Sequence, residues 1–179
     1  MTAARLPLFV HCPRCGAAGL TQPEPDAYAC GQCGFHYHTN PAVGVGGLVV
    51  DNQGRLLLLR RANDPGRGKY GLPGGFVNPG ESAEEALVRE TREETGLEIQ
   101  DLRFVCTAPN VYPYRGVTYH VLDIFFAARA AAHSQAAARA EVDSLVWLHP
   151  HELNLEDIAF LSVRRAVSLF RDPSTFPRQ

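Results

Sequence analysis

The chain has 179 residues and a formal net charge of −2, which is length for one ordinary domain plus a small module and too little charge for strong global attraction to DNA or RNA. No apolar run approaches the ~20 residues of a membrane span. The opening MTAARLPLFVHCP lacks the apolar core of a secretory signal and meets a cysteine pair at once, so a cytoplasmic protein with reduced thiols is expected.

Residues 1–40 hold four of the five cysteines, arranged as Cys12-Pro-Arg-Cys15 and Cys30-Gly-Gln-Cys33, each pair followed by a glycine, Gly16 or Gly34. Tetrahedral zinc takes four thiolates, and a tight C-x-x-C-G turn points both sulfurs at one ion. The spacing between the pairs is slightly shorter than usual, and a zinc ribbon held by Cys12, Cys15, Cys30 and Cys33 is the expectation. Disulfides are disfavoured by compartment, and a redox C-x-x-C would want a βαβ setting that is absent. With four cysteines available, His11, His36 and His38 read as neighbours or surface residues rather than ligands. A module this small cannot bury a core, so zinc would supply its folding energy. Thr39-Asn40-Pro41 marks the boundary between a ribbon over 1–40 and a second domain over 41–179.

Ala42–Val50 (AVGVGGLVV) reads as a buried strand, Asp51–Gly54 as a turn and Arg55–Arg60 (RLLLLR) as a returning strand. Residues 61–75 form a Gly- and Pro-rich loop, in which Gly74 and Gly75 permit close backbone approach. Ser82 and Glu85 form an S-x-x-E capping box and Gly96 is a natural C′ residue, so a helix is predicted from Ser82 to Thr95. Ala83, Ala86, Leu87 and Thr91 make its narrow buried face. Glu90, Glu93 and Glu94 fall at i, i+3 and i+4 on another face, where like charges repel by roughly 0.2–0.5 kcal/mol per pair. A divalent cation would reverse that sign, because carboxylate oxygens are what Mg²⁺ or Mn²⁺ binds. A solvated acidic face with Arg89 and Arg92 as counterions is the competing reading.

Beyond the helix, Glu98–Val105 is a predicted strand and Thr107–Gly116 (TAPNVYPYRG) a loop or hairpin tip. Val117–Ala128 (VTYHVLDIFFAA) is the strongest strand signal of the chain. Ala130–Ala140 reads as a strand end and mobile loop, Ser144–Leu148 as a short strand, and His151–Asp172 as an amphipathic helix broken near Asn154. The order of strands and helices fits a mixed sheet between helices, an α/β fold.

The stretch GFVNPGESAEEALVRETREETGL, Gly75 to Leu97, closely resembles the Nudix box: Gly75, Glu81, Arg89, Glu90, Glu93, Glu94, Gly96 and Leu97 stand in register. Thr91 departs from an aliphatic position, and its methyl can still pack inward. The run Gly68-Lys69-Tyr70-Gly71-Leu72-Pro73-Gly74-Gly75 is also typical, with Tyr70 where many members carry Trp. The resemblance implies an α/β/α Nudix sandwich that hydrolyses a nucleoside diphosphate linked to a group X, with Mg²⁺ or Mn²⁺ clamping the diphosphate and acidifying water. It implies Glu93 and Glu94 as metal ligands, Glu90 as a second-metal ligand or base, Glu81 reaching a metal through water and the Gly74 carbonyl as a further ligand. Arg89, paired with Glu85 or Glu93, would orient the cluster. Glu141, ahead of a strand containing Trp147, resembles the extra carboxylate of zinc-ribbon Nudix enzymes; an exposed loop acid is its alternative. Asp123, alternating with Leu122 and Ile124, is left without a role, and the lone Cys106 reads as a buried residue.

The place where NADH pyrophosphatases of the family carry Ser-Gln-Pro-Trp-Pro-Phe-Pro holds Ala108–Tyr114 instead, and Pro113 matches a proline of ADP-ribose pyrophosphatases. The resemblance thus favours ADP-ribose-like nucleoside diphosphate sugars. An NAD(H), FAD or NAD-capped RNA pyrophosphatase, and a non-catalytic Nudix sensor or nucleic-acid-binding protein, are the alternatives. Tyr112, Tyr114 and Phe160 are candidates to stack on the base, Phe160 being as well explained by the core. The partner implied is a small nucleotide, with no membrane and no nucleic acid beyond a capped RNA end; a homodimer is compatible with the sequence.

Overall fold

The computed structural model describes residues 9–131, 136–139 and 142–172. The chain divides into two compact units, residues 1–40 and 41–179.

In the first unit, β1 (Ala27–Ala29) pairs antiparallel with β2 (His36–His38). Its apolar content is slight: Ala27 and Tyr28 are buried, and Phe9 packs edge-on against Tyr28 and Tyr37 at 5.3 and 5.5 Å. The amides of Gly16 and Gly34 donate to the carbonyls of Cys12 and Cys30 at 2.8 and 3.0 Å. Both glycines have φ near +70°, which is why glycine follows each cysteine pair.

The second unit runs β3 (Ala42–Val50), β4 (Leu56–Arg61), β5 (Tyr70–Gly71), α1 (Ala83–Thr95), β6 (Ile99–Tyr114), β7 (Val117–Ala130), β8 (Val142–Leu148) and α2 (Leu161–Arg171). The six-stranded sheet is ordered β5-β4-β3-β7-β6, with β8 also on β4. The β3–β7 pair is parallel and the others antiparallel, so the sheet is mixed. Period-two alternation deals its side chains to two faces. Leu48, Leu56, Leu58, Phe125 and Ala127 pack with Val163, Ala166, Val167 and Phe170 of α2. Val45 and Phe126 pack with Ala86 and Leu87 of α1. The α/β/α arrangement expected from the sequence is the one observed.

Three expectations need correction. Of the two readings of 107–116, loop or hairpin tip, the second holds but is far shorter: β6 continues to Tyr114, and the tip joining it to β7 is only Arg115-Gly116, with φ of 47° and 79°. Pro109 and Pro113 are tolerated because β6 is the sheet's outer strand beside β7, where an amide on the free edge has no ladder partner to lose. The helix predicted over 151–172 is an α-helix only from Leu161; Pro150–Glu152 and Leu155–Asp157 are single 3₁₀ turns, the second capped by Asn154 Oδ1 accepting from the Glu156 amide at 3.1 Å. The described part of the expected mobile loop is anchored, since the amides of Ala137 and Arg139 donate to the Thr95 and Glu94 carbonyls at 2.9 Å each. Those bonds satisfy carbonyls that the end of α1 would otherwise leave open.

Helix α1 starts as predicted. Ser82 Oγ accepts from the Glu85 amide at 3.2 Å, and Glu85 Oε2 accepts from the Ser82 amide at 2.8 Å. Gly96, at φ 73°, ends it. Thr91 is fully buried, and its Oγ1 has no hydrogen-bond partner among the described residues. A buried unsatisfied hydroxyl costs about 1–3 kcal/mol. Thr91→Val keeps the shape and removes that cost, so its melting temperature should exceed wild type in a thermal scan; a lower value would mean the hydroxyl is satisfied.

Candidate active site

The box helix presents its carboxylates to a cleft of about 410 Å³ in the second unit, which Glu90, Glu93 and Glu94 line together with Gly74 and Gly75. The loop leading into the helix is pinned along β3: the Gly47 amide donates to the Pro73 carbonyl at 2.8 Å and the Val45 amide to that of Gly75 at 2.9 Å. Alternation turns the Gly74 carbonyl away from β3, while the Gly74 amide donates to Glu94 Oε2 at 3.0 Å. Gly74 admits only glycine, because backbone stands in the way, whereas a side chain at Gly75 would displace the Glu90 carboxylate. A Cβ on Gly74 (φ 148°) would lie 2.0 Å from the Val45 carbonyl oxygen, and one on Gly75 2.4 Å from Glu90 Oε1.

Arg89 ties the acids together. Its Nε and Nη2 donate to the two Glu81 oxygens at 2.8 and 3.0 Å, its Nη1 to Glu90 Oε1 at 2.8 Å and to Glu93 Oε2 at 3.4 Å, and Nη2 also to the Phe76 carbonyl at 3.1 Å. The expected Arg89–Glu85 pair is not formed, because the Glu85 carboxylate serves the cap. Donating to Glu81, and then to Glu90, pushes the Arg89 pKa up. Those from Arg89, then the Asn78 amide, hold the Glu81 carboxyl below its usual range. The three helix carboxylates share a cleft but do not converge on one point. Glu90 and Glu93 share the Arg89 Nη1 donor, and Glu94 takes the Gly74 amide.

Tyr112 and Phe160 line the cleft, their ring centroids 5.8 Å apart, and the Arg61 guanidinium lies over the Phe160 ring at 4.9 Å. The Tyr114 ring lies tilted beside Tyr112, centroids 6.1 Å apart, and does not line the cleft. The sequence reading missed Phe76, which packs edge-on to Tyr112 at 5.9 Å, along with Arg61 and Asn110, all lining residues. Asp123 also lines it; burial raises its pKa, and hydrogen bonds from Ser162 and Asn110 counter that rise. Its only sequence signal was a charge inside the strongest strand. Glu141 lies outside the described residues, whereas its neighbour Val142 lines the cleft.

Both metal expectations pass a test of fit. All ligand atoms at the cleft are hard oxygens, the set suited to Mg²⁺ or Mn²⁺. In the first unit the four cysteine sulfurs lie within 4.8 Å of one another, with Cys12···Cys33 and Cys15···Cys30 at 3.7 Å. A tetrahedron with Zn–S bonds of ~2.3 Å has edges of about 3.8 Å. Amide hydrogen bonds, first from Cys33 and then from Gln32, pull the Cys30 thiol down to about 7, whereas at Cys15 an amide hydrogen bond from Ala17 is outweighed by the neighbouring sulfurs and the thiol is pushed up to about 12; the fit to zinc rests on the sulfur spacing. Metal analysis should therefore find about one zinc per chain, lost in Cys12→Ser and Cys30→Ser; zinc-free protein with an ordered first unit would contradict it.

A mixed sheet between helices, a glycine pair closing on an acidic helix and an arginine bridging its carboxylates define a Nudix domain. The family model for the NUDIX domain matches residues 40–168, and the chain belongs to that family. It is 43% identical over 94 residues to an ADP-ribose pyrophosphatase of Methanocaldococcus jannaschii, covering 51% of this chain and 53% of that protein. It is 28% identical over 142 residues to the NAD-capped RNA hydrolase NudC of Pseudomonas fluorescens, covering 79% and 49%. The chain thus spans about half the length of these curated relatives. Among solved structures, a NUDIX hydrolase from Nitrosomonas europaea superposes with a TM-score of 0.76 at 25% identity over 95% of this chain and 94% of that one. Among the described residues no helix is long and apolar enough to cross a membrane.

Proposed function

We propose that the cleft hydrolyses nucleoside diphosphates linked to X, ADP-ribose-like nucleoside diphosphate sugars first among them, and that residues 1–40 form a structural zinc ribbon. The observation that carries this reading is the meeting, in one cleft, of the box carboxylates with an aromatic wall. One end suits a cation-bound diphosphate and the other a flat base. Glu93, Glu94 and the Gly74 carbonyl would hold Mg²⁺ or Mn²⁺, with Glu90 as further ligand or base and Glu81 acting through water. The ion supplies charge neutralisation and Lewis acidity.

The chain's own residues do the rest. Arg89 fixes the Glu81 and Glu90 oxygens so that little reorganisation is needed during reaction. Tyr112 and Phe160 orient the base, and Arg61, held by Nε donating to the Pro65 carbonyl at 2.7 Å, offers its remaining donors to phosphate oxygens. Glu141, beside Val142, is the proposed additional acid for placing water. The split is hydrolysis of one P–O bond, giving AMP and ribose 5-phosphate from ADP-ribose.

A second reading, hydrolysis of NAD(H) or an NAD-capped RNA end, is favoured by the greater share of this chain that aligns with the capped-RNA hydrolases. Initial rates on ADP-ribose, NADH, FAD and an NAD-capped oligonucleotide with Mg²⁺ or Mn²⁺ separate the two. The first reading predicts the highest kcat/KM for ADP-ribose, and a higher value for the dinucleotides or the capped RNA would replace it.

A further inference from the structure

The nucleoside end of the cleft holds a charged group that diphosphate chemistry does not use. Asp123 lies inside β7 and its carboxylate lines the cleft with Tyr112 and Phe160. A charge in so apolar a strand is costly unless its oxygens are satisfied. Oδ2 accepts from Ser162 Oγ at 2.6 Å, and Ser162, in the first turn of α2, is only 2% exposed. The Asn110 side chain also hydrogen-bonds the carboxylate, its own Oδ1 being engaged by the Val111 amide at 2.9 Å. On the remaining side a Cβ added to Gly44 would stand 2.5 Å from Asp123 Oδ1, so glycine keeps that flank open. An ionised carboxylate accepts along about four lone-pair directions, and the two side chains fill about half of them.

The strand register places this acceptor relative to the rings. Ala108, Asn110 and Tyr112 of β6 stand opposite Asp123, Val121 and Tyr119 of β7, all on one face of the sheet. From Tyr112 to Asn110 is one strand repeat, roughly 6.6–6.8 Å. A flat base stacked on Tyr112 therefore turns its inner edge toward the Asn110–Asp123 pair.

Resting on the reading of the cleft as a nucleotide site, we propose that Asp123 reads the base edge. Its carboxylate accepts a hydrogen bond from an exocyclic amine, as adenine carries, and repels the carbonyl oxygen that replaces that amine in hypoxanthine. Ser162 and Asn110 are positioning residues that hold the carboxylate for this contact. A site built to satisfy a substrate donor rejects the analogue lacking it far better than an apolar pocket can.

Calorimetric binding of ADP and of IDP to the full chain tests the proposal without any turnover. Wild type should bind ADP about 10–100-fold more tightly than IDP, the range for a hydrogen bond to a charged group. Asp123→Asn keeps the shape and an acceptor for Ser162 but presents an amide donor, so the preference should vanish or invert while the melting temperature stays near wild type. Ser162→Ala, which keeps the charge, should keep the sign of the preference at reduced size. Equal wild-type affinities, no binding of either nucleotide, or equal weakening of both in Asp123→Asn would each overturn the assignment. Clear ADP preference in a protein that fails to hydrolyse ADP-ribose would count against the pyrophosphatase and leave Asp123 as the base reader.

Discussion

Glu94→Gln and Glu93→Gln should each lower kcat for ADP-ribose by at least about 100-fold, because even residues one step removed from a metal cost 10–100-fold when changed. Glutamine keeps the size of the side chain and a carbonyl oxygen that the Gly74 amide can still reach, but it lacks the charge that a divalent ion requires. Stability should not follow activity. The Glu93 side chain is 58% exposed, and its contact with Arg89 at 3.4 Å is a surface pair of little worth. Relief of like-charge repulsion at i, i+3 and i+4 offsets its loss. Melting temperature without added metal should therefore hold or rise. Glu84→Gln, on the same helix but exposed in its first turn, is the control and should leave turnover unchanged. Near-native turnover in both site variants would reduce the acidic face to a solvated surface.

Arg89→Met should lower both stability and rate. The Arg89 side chain is 27% exposed and gives charge-assisted hydrogen bonds to Glu81, Glu90 and Glu93. Removing it leaves those acids to repel one another, at a cost of about 2 kcal/mol, or a melting temperature roughly 4–8 °C lower. The rate should drop about 10–100-fold because the carboxylates lose their orientation. Added Mg²⁺ should recover part of the stability, since a second cation then serves the same oxygens; a deficit indifferent to Mg²⁺ would detach Arg89 from the metal-binding group.

The pH response follows from Glu81, whose carboxyl Arg89 holds below the ordinary 4.5. A depressed carboxylate contributes stability that is fully present above its unfolded pKa and is lost as pH falls through its folded one. Wild type should thus lose this contribution progressively below about pH 4.5, and Arg89→Met should show a shallower acid slope.

What could be read from the sequence was local chemistry. The limits of α1 rest on Ser82, Glu85 and Gly96, residues that act within one helical turn, and its three acids lie together because one helix carries them. The second half of β6 was hidden because Pro109 and Pro113 spell a loop until the strand is known to be an outer one, which depends on the order of the whole sheet. Arg89 was assigned to partners one turn away. Its main partner, Glu81, lies before the cap and reaches back across the helix start. Phe76, Arg61, Asn110 and Asp123 come from a loop and three different strands, and no spacing in the chain announces that they share a cleft.

The most direct test is the rate of AMP release from ADP-ribose as Mg²⁺ is titrated into protein freed of loosely held divalent ions but retaining its zinc. The account predicts no turnover without Mg²⁺, saturable turnover with it, and AMP and ribose 5-phosphate in equal amounts, while circular dichroism stays constant throughout. Turnover independent of the ion, or none at any Mg²⁺ or Mn²⁺ concentration in folded protein, would contradict it.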